Sequence, residues 1–217
     1  MARPAASRPV CPPRERVYAE PMSQPVTPCE IIAEAGVNHD GQEEEALRLV
    51  AAAARAGADT VKFQTFDPDE LAAASAPTAA YQAAAGEGDR QADMLRRLSL
   101  PLAAWSRIAR EAEACGIGFL STPFDVASAR FLIDQTGMDR IKVGSGELTN
   151  LPLLLELARL GPPILLSTGM ATLDDVRDAL GTIVFARLAE ADRRPSLHAV
   201  REALDTPEAG AVLGRTV

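Results

Sequence analysis

Five short runs of β-forming apolar residues alternate with longer segments of helical periodicity, and this alternation restricts the fold more than any other feature of the sequence. The runs cover residues 31–33, 60–63, 117–120, 140–143 and 164–166. The helical segments cover residues 42–56, 101–115, 125–136, 151–160 and 172–190. A strand followed by a helix, five times over, is typical of a parallel α/β domain, because parallel neighbours need a long crossover that is usually a helix. We therefore predict an α/β fold.

The segments outside this alternation set the predicted domain boundary. Residues 1–28 hold seven of the 16 prolines and four arginines without apolar periodicity, so we predict a flexible extension there and one domain over residues 29–217. The connection over residues 66–100 is too long for a plain βα loop, which favours a binding loop or lid. Asp40 is predicted to be the N-cap of the first helix. Two short helices are predicted over residues 196–204 and 206–213.

Composition argues against several classes of function. The chain carries 30 acidic and 22 basic side chains, a net charge of −8, so a nucleic-acid partner is not expected. Its three cysteines are odd in number and widely spaced, which fits a reducing compartment better than a disulfide framework. No signal-peptide pattern appears, and no apolar stretch approaches the roughly 18 residues of a membrane span. We expect a cytoplasmic protein without a membrane partner.

A polar cluster follows each apolar run directly. In chain order the clusters include Glu34, Lys62 with Gln64, Ser121 with Thr122, Lys142 with Ser145 and Glu147, and Ser167 with Thr168. The carboxyl ends of parallel strands meet at one edge, where the βα loops emerge and where active sites of such folds lie. Because side chains alternate along a strand, Lys62 and Gln64 should share one face. We predict a functional site at this edge.

Only two of the 22 basic residues are lysines, Lys62 and Lys142, and both fall in these clusters. A lysine kept in a chain that otherwise uses arginine indicates a position that arginine cannot serve. A compact ammonium suits a tight phosphate or carboxylate site, or acts as a Schiff-base amine. Chance survival is the alternative, and the shared setting of Ser, Thr and Gly residues, typical of a phosphate cradle, argues against it.

The two glutamates of the clusters are candidates for proton transfer. Glu34 ends an apolar strand, where partial burial would suit it to acid–base chemistry, and a structural carboxylate paired with a lysine is the alternative. Glu147 follows a Gly-Ser-Gly turn and would orient a sugar hydroxyl or hold the loop. His39 is predicted to be a hydrogen-bonded loop histidine rather than a ligand, and His198 to be exposed.

Taken as a set, five motifs resemble those of the sialic acid synthase family, which includes N-acetylneuraminate and legionaminic acid synthases. The motifs are IIAEAGVNHDG, ADTVKFQTF, FLSTPFD, IKVGSGELTNLPLL and ILLSTGMATLDDV, in that order between Glu30 and Asp175. The resemblance implies a TIM (β/α)8-type barrel followed by a small antifreeze-like domain. It also implies a transferase of nonulosonic acid biosynthesis, which condenses phosphoenolpyruvate with N-acetylmannosamine or a related N-acylated hexosamine and releases phosphate.

The resemblance also implies roles for individual residues. The phosphate and carboxylate of phosphoenolpyruvate would be held by Lys62, Thr122, Lys142, Ser145 and Ser167. Gln64 would face the sugar, while Glu34 and Glu147 would assist proton transfers or orient the attacking water. A divalent metal, Mn²⁺ or Mg²⁺, is expected as a cofactor that polarises the open-chain aldehyde.

The chain departs from the family pattern beyond Gly181. The family's metal-binding histidines come from strands six and seven, in HCT-like and EKHF-like segments that this sequence does not contain, so no metal ligand is assigned. We expect a barrel truncated after about five βα units, without the C-terminal barrel strands and the antifreeze-like domain. An unpaired apolar edge on the fifth strand would then allow pairing with another copy, which predicts a homodimer.

Two other functions stay open. A Schiff-base class I aldolase would use Lys62 or Lys142 to form an imine with a keto acid. A non-catalytic fragment would keep the phosphoenolpyruvate-binding cradle without the metal. Borohydride trapping of pyruvate tests the first function, and phosphoenolpyruvate binding without turnover tests the second.

Overall fold

The structure is a computed structural model that describes residues 29–71, 91–190, 193–214 and 216. The predicted extension over residues 1–28 lies outside these ranges, and so does the central part of the long connection, residues 72–90. All five predicted strands and all seven predicted helices are confirmed, with ends that differ by a few residues. The described ends of the long connection contain two further short helices, where the sequence predicts only a loop.

The elements alternate along the chain in the order strand, helix, strand. The strands are β1 Ile32–Gly36, β2 Thr60–Thr65, β3 Gly118–Pro123, β4 Ile141–Val143 and β5 Ile164–Leu166. The helices are α1 Glu43–Arg55, α2 Pro68–Leu71, α3 Gln91–Leu98, α4 Leu102–Ala114, α5 Val126–Thr136, α6 Leu151–Arg159, α7 Leu173–Leu188, α8 Leu197–Leu204 and α9 Ala209–Leu213. A single 3₁₀ turn, Ser145–Glu147, follows β4.

The strands are parallel throughout the part of the chain that the structure describes. Strands β1, β2 and β3 form one hydrogen-bonded sheet in that order, and β4 pairs with β5 in a second. Strand β4 packs beside β3, so the five strands follow one another in space as they do in sequence. The register pairs Glu34 with Lys62, and Gln64 with Thr122. The polar residues of three neighbouring strand ends are therefore brought to the same edge.

The helices cover one face of the strands with apolar side chains. Phe63 on β2 and Trp105 on α4 are both almost fully buried, with ring centroids 5.6 Å apart. Helix α1 adds Val50, and α4 adds Ile108, which have no exposed surface. Full burial of a side chain of this size contributes about 1.5–3 kcal/mol. Because this packing uses the odd-numbered positions of β2, the alternate positions, including Lys62, face the opposite side.

Two glycines end the helices that precede β2 and β3. Gly57 and Gly116 have φ angles of 84° and 70°, in the left-handed region that glycine adopts readily after the last turn of a helix. The prediction for Asp40 is wrong. Gln42 is the N-cap residue of α1, without a side-chain capping bond, while Asp40 lies in the preceding turn with φ 48°. Three glutamates in the first turn of α1 supply the negative charge that stabilises a helix start.

A polar network ties the amino ends of three strands together. The guanidinium of Arg140, just before β4, binds both carboxylate oxygens of Glu30, just before β1. Thr60, the first residue of β2, donates its hydroxyl to the same carboxylate at 2.6 Å. Hydrogen bonding to Arg140 lowers the pKa of Glu30, and the burial of the carboxyl acts in the opposite direction. These contacts fix β1, β2 and β4 relative to one another at the edge opposite the predicted site.

The last helices form a small apolar cluster of their own. Phe185 of α7, Val200 of α8 and Ala209 of α9 are buried together. Beyond them, Thr216 forms an isolated parallel bridge with Ile164 of β5, so the outer side of that strand has one backbone partner. In the described ranges no helix is both long enough and apolar enough to cross a lipid bilayer.

Candidate functional site

The candidate site lies at the carboxyl ends of the strands, on the face that the helices leave uncovered. Lys62 and Gln64 lie two residues apart on β2 and so share one face, as predicted, and the register places Glu34 of β1 and Thr122 of β3 beside them. A β-bulge between Glu34 and Gly36 ends the regular pairing of β1 at this point. The strand register, rather than a loop, therefore positions these side chains.

Lys62 is held between the two neighbouring strands. Its ammonium nitrogen lies 2.5 Å from Glu34 Oε2 and 3.4 Å from Thr122 Oγ1. The lysine side chain is 11% exposed, whereas that of Glu34 is 55% exposed. The prediction that Glu34 is partly buried is thus wrong, since more than half of its side chain is exposed, at the point where the register of β1 shifts. The alternative prediction, a carboxylate paired with a lysine across the site, is confirmed.

Lys142 on β4 is the second ammonium of the site. Its Nζ donates to Ser167 Oγ and to the carbonyl oxygen of Val143, both at 2.6 Å. Burial lowers the pKa of Lys142, the charge of Lys62 lowers it further, and the carboxylate of Glu34 acts in the opposite direction. The structure therefore brings the two lysines close enough for their charges to interact, although they are 80 residues apart in sequence.

Hydroxyl groups and glycines complete the rim beside the lysines. Ser145 begins the 3₁₀ turn after β4, and a Cβ added to Gly169 would lie 3.4 Å from its Oγ. The β4 and β5 loops thus approach closely, and the missing side chain at Gly169 leaves the serine hydroxyl open. Gly36 plays a similar part on the other side, where an added Cβ would lie 3.2 Å from Glu34 Oε1.

Glu147 is fixed by a residue that the sequence analysis missed. Asn150 donates its side-chain amide to Glu147 Oε2 at 2.7 Å, and its Oδ1 accepts from the backbone nitrogen of Leu153 as the N-cap of α6. The signal was present in the sequence, because asparagine before a helical segment is a common N-cap. Glu147 makes no ion pair with either lysine in the described part of the chain.

Asp125, which was also not predicted from the sequence, supports the loops that follow β2 and β3. Asp125 is buried and caps α5 by accepting from the Ser128 backbone nitrogen at 2.6 Å. It also accepts from the backbone nitrogen of Asp67 at 3.1 Å, which connects the loop after β2 to the loop after β3. The buried hydroxyls of Thr65 and Ser121, 2.8 Å apart, join the same two strands. These contacts hold the strand ends that carry Lys62 and Thr122.

The two histidines lie outside the site. His39 is buried against Phe63 and Trp105, and its Nδ1 accepts from the backbone nitrogen of Gly41 at 3.2 Å, so the predicted loop histidine is confirmed. Burial lowers its pKa. His198 is exposed on α8, also as predicted. Across the ranges that the structure covers, no three His, Cys, Asp or Glu side chains converge as a metal site would require.

The arrangement is suited to binding a small, multiply charged anion. Two ammonium groups, three hydroxyls and glycine backbone lie together at this edge, with the carboxylate of Glu34 beside Lys62. Ammonium and hydroxyl donors are the groups that bind phosphate and carboxylate oxygens. The described residues supply this anion cradle, but not a set of metal ligands.

Comparison with known proteins identifies relatives over the same part of the chain. A sequence model of the NeuB family matches residues 49–202. The chain is 44% identical over 154 residues to N,N'-diacetyllegionaminic acid synthase of Campylobacter jejuni, covering 70% of this chain and 46% of that protein. It is 45% identical over 156 residues to the synthase of the same name from Legionella pneumophila, covering 71% and 44%.

The similarity extends to solved structures. The fold matches that of N-acetylneuraminic acid synthetase from Leptospira borgpetersenii with a TM-score of 0.62 and 27% identity, covering 74% of this chain and 52% of that one. The chain spans about half the length of the relatives that it matches.

Proposed function

The chain belongs to the NeuB family, whose members are synthases, and we propose that it serves nonulosonic acid biosynthesis by condensing phosphoenolpyruvate with an N-acylated hexosamine. The hexosamine would be N-acetylmannosamine or a related sugar, and the products would be a nonulosonic acid and inorganic phosphate. One observation carries the proposal: both lysines of the chain meet at the carboxyl ends of the strands, each with a hydroxyl partner.

The phosphate and carboxylate of phosphoenolpyruvate together carry the charge that this cradle fits. The residues that would hold them are Lys62, Thr122, Lys142, Ser145 and Ser167. Gln64 shares the face of Lys62, two residues nearer the carboxyl end of β2, where it would meet the sugar. A cradle on strand ends keeps the ligand in a fixed orientation, which favours reaction with a second substrate.

The proposed reaction forms one carbon–carbon bond and breaks one bond to the phosphate oxygen. The methylene carbon (C3) of phosphoenolpyruvate attacks the aldehyde carbon of the open-chain sugar, whose oxygen takes up a proton. Water then adds to C2 of the former phosphoenolpyruvate and gives up one proton. The new hydroxyl loses its second proton and becomes the keto oxygen as the bond between C2 and the phosphate oxygen breaks and phosphate leaves. Glu34 beside Lys62, and Glu147 in the turn after β4, are the carboxylates that would move protons or orient this water.

A divalent metal, Mn²⁺ or Mg²⁺, is part of the proposal through the family alone. The described residues do not fit a metal site, because His39 is enclosed by aromatic rings and the acidic residues of the rim do not converge. The described residues therefore assign no step of the reaction to a metal. Ligands for it would have to come from outside the described residues.

We further propose that the five βα units are part of a (β/α)8-type barrel, with residues 29–217 as one domain and residues 1–28 as an extension. Two observations support this arrangement: the strands lie side by side in the order of the sequence, and the chain covers only about half the length of its relatives. A cytoplasmic location and the absence of a nucleic-acid or membrane partner belong to the proposal and are supported by the acidic composition and the cysteine pattern. A homodimer through the outer edge of β5 is also proposed, because among the described residues that edge has only the bridge to Thr216.

Phosphate release is the direct test. The full chain is incubated with phosphoenolpyruvate, N-acetylmannosamine and Mn²⁺, and released phosphate is measured with each component omitted in turn. We expect release only when all three are present. Binding of phosphoenolpyruvate without release would support the non-catalytic alternative, and absence of binding by calorimetry would contradict the proposed site itself.

The Schiff-base alternative keeps one observation in its favour. Burial and the neighbouring ammonium both lower the pKa of Lys142, which raises the fraction of free amine able to attack a carbonyl. Incubation with pyruvate and borohydride would then leave a covalent adduct on Lys142, detected by mass spectrometry of the digested chain. Without such an adduct the aldolase function fails, and the condensation stays the better explanation.

A further inference from the structure

Glu34 occupies the position from which an incoming anion would bind Lys62. Its Oε2 lies 2.5 Å from Lys62 Nζ, whereas the hydroxyl of Thr122 lies 3.4 Å away. Among the described residues, Glu34 is the one carboxylate within ion-pair distance of either lysine. The Lys62 ammonium, which would bind an anionic ligand, therefore already has an anionic partner within the protein.

The two partners of this ion pair differ in how freely they can move. Lys62 is 11% exposed and rises from the middle of β2, between two paired strands. Glu34 is 55% exposed, at the bulge that ends the regular pairing of β1. A largely exposed carboxylate forms a weak ion pair, because water solvates it well when it leaves. The carboxylate, not the ammonium, is the partner that can be exchanged.

The charge balance of the site gives the exchange a reason. Lys62 and Lys142 repel each other in a half-buried space, and Glu34 offsets part of this repulsion while no ligand is bound. An anionic ligand would supply the same negative charge, and would find Glu34 a like-charged neighbour. Two anions competing for one ammonium cannot both be bound at full strength.

From these contacts we infer that Glu34 is the resident counter-ion of Lys62, which the anionic substrate displaces, and that Glu34 thereby limits the affinity of the site for anions. The inference rests on the proposed function, since it assumes that the two lysines hold an anion. It adds that binding of the substrate releases the Glu34 carboxylate beside the bound anion, at the moment when a group that moves protons is needed there.

Removal of the negative charge at position 34 tests the inference. The probes are inorganic sulfate, which stays a dianion throughout the neutral pH range, and phosphoenolpyruvate, each titrated by calorimetry into the full chain at fixed ionic strength. Glu34→Gln keeps the size of the side chain and should bind both probes roughly tenfold more tightly than the unaltered chain. Glu156→Gln is the matched control, because Glu156 also forms an ion pair, with Arg159 at 2.8 Å on α6, and its replacement changes the net charge equally.

The source of the gain is checked by a double-mutant cycle. In a chain that carries Lys62→Met, Glu34→Gln should raise the affinity for sulfate by less than half as much on a logarithmic scale, because the contact for which the carboxylate competes is gone. An equal gain in both backgrounds would show a general charge effect and would contradict the displacement of Glu34 from Lys62.

The outcomes separate the inference from the proposed function. If neither the unaltered chain nor Glu34→Gln binds either probe, the anion site itself is wrong. If both bind with equal affinity, or the variant binds more weakly, the site stands and the counter-ion role is wrong. Folding of the variants is followed by circular dichroism, with Glu34→Ala as a second replacement. Failure of both to fold would also contradict the inference, because an exchangeable side chain cannot be essential for folding.

Discussion

Each of the two edges of the strands has an ion pair between a glutamate and a basic side chain, but the two ion pairs differ in geometry and exposure. At the amino ends, Arg140 binds both oxygens of Glu30, and Thr60 bonds to the same carboxylate. At the carboxyl ends, Lys62 binds one oxygen of Glu34, which is more than half exposed. The first edge uses a planar guanidinium that matches a carboxylate in two places, and the second uses an ammonium that makes a single contact.

The proposed function accounts for this difference between the two ion pairs. The bidentate contact at the amino ends links three strands, because Glu30 precedes β1, Arg140 precedes β4 and Thr60 begins β2. The ammonium of Lys62 forms no fixed fork, so it can exchange one anion for another without rearrangement of the strand. Under the proposed function, this accounts for the two lysines at one edge of a chain with 20 arginines. The amino edge would then stabilise the fold, and the carboxyl edge would bind an exchangeable anion.

The largest effect is expected from removal of a lysine at the carboxyl edge. Lys62→Ala should weaken phosphoenolpyruvate binding by about 100-fold, because a charge-assisted hydrogen bond contributes about 1.5–3 kcal/mol. Lys142→Ala should act similarly, since its Nζ already lies 2.6 Å from the Ser167 hydroxyl that would share the ligand. Calorimetry of the folded variants measures this, and Arg159→Ala on α6 provides the control. Unchanged affinity in both lysine variants would show that this edge is not the anion site.

A swap of the two cations tests whether their chemistry, rather than their charge, distinguishes the edges. Lys62→Arg keeps the charge, but its larger fork does not fit between Glu34 and Thr122, so phosphoenolpyruvate binding should weaken by about tenfold. Arg140→Lys should leave phosphoenolpyruvate affinity unchanged, because Arg140 lies at the opposite edge. Equal affinity in Lys62→Arg would mean that charge alone decides.

The site could be predicted from the sequence as far as topology and alternation determine it. Polar residues that follow successive parallel strands must meet at one edge, and residues two apart on a strand must share a face, which places Lys62 with Gln64. The strands and helices can also be predicted from the sequence, because their apolar residues are regularly spaced and glycines such as Gly57 end the helices.

The remainder depends on contacts that no local pattern encodes. The contact between Arg140 and Glu30 spans 110 residues and exists only because β1 and β4 begin at the same edge. Glu34 is largely exposed beside a register shift in β1, and its apolar neighbours in sequence indicate neither. Helix α3 lies in a long connection that polar and small residues predict to be a loop, although Met94 and Leu95 bury against Phe66.

A moderate loss of stability is expected at the amino edge. Arg140→Met removes the guanidinium and keeps much of its apolar length, so the free energy of unfolding should fall by about 1 kcal/mol, a value limited by the partial exposure of the ion pair. Urea unfolding followed by circular dichroism measures the change. Glu34→Gln, which breaks the single contact at the other edge, should cost less than half as much. A larger loss from Glu34→Gln would reverse the assignment of the two edges.

The smallest effect concerns pH and is specific to the amino edge. Hydrogen bonding to Arg140 holds the pKa of Glu30 below its ordinary value, so the folded chain favours the ionised carboxylate. A carboxylate with a lowered pKa contributes stability above the pKa of the unfolded chain, and that contribution is lost as pH falls through the folded value. The difference in unfolding free energy between the unaltered chain and Glu30→Gln should therefore be constant near neutral pH and shrink below about pH 4.5. Urea unfolding at a series of pH values measures it, and a difference that stays constant on acidification would show that the Glu30 charge does not stabilise the fold.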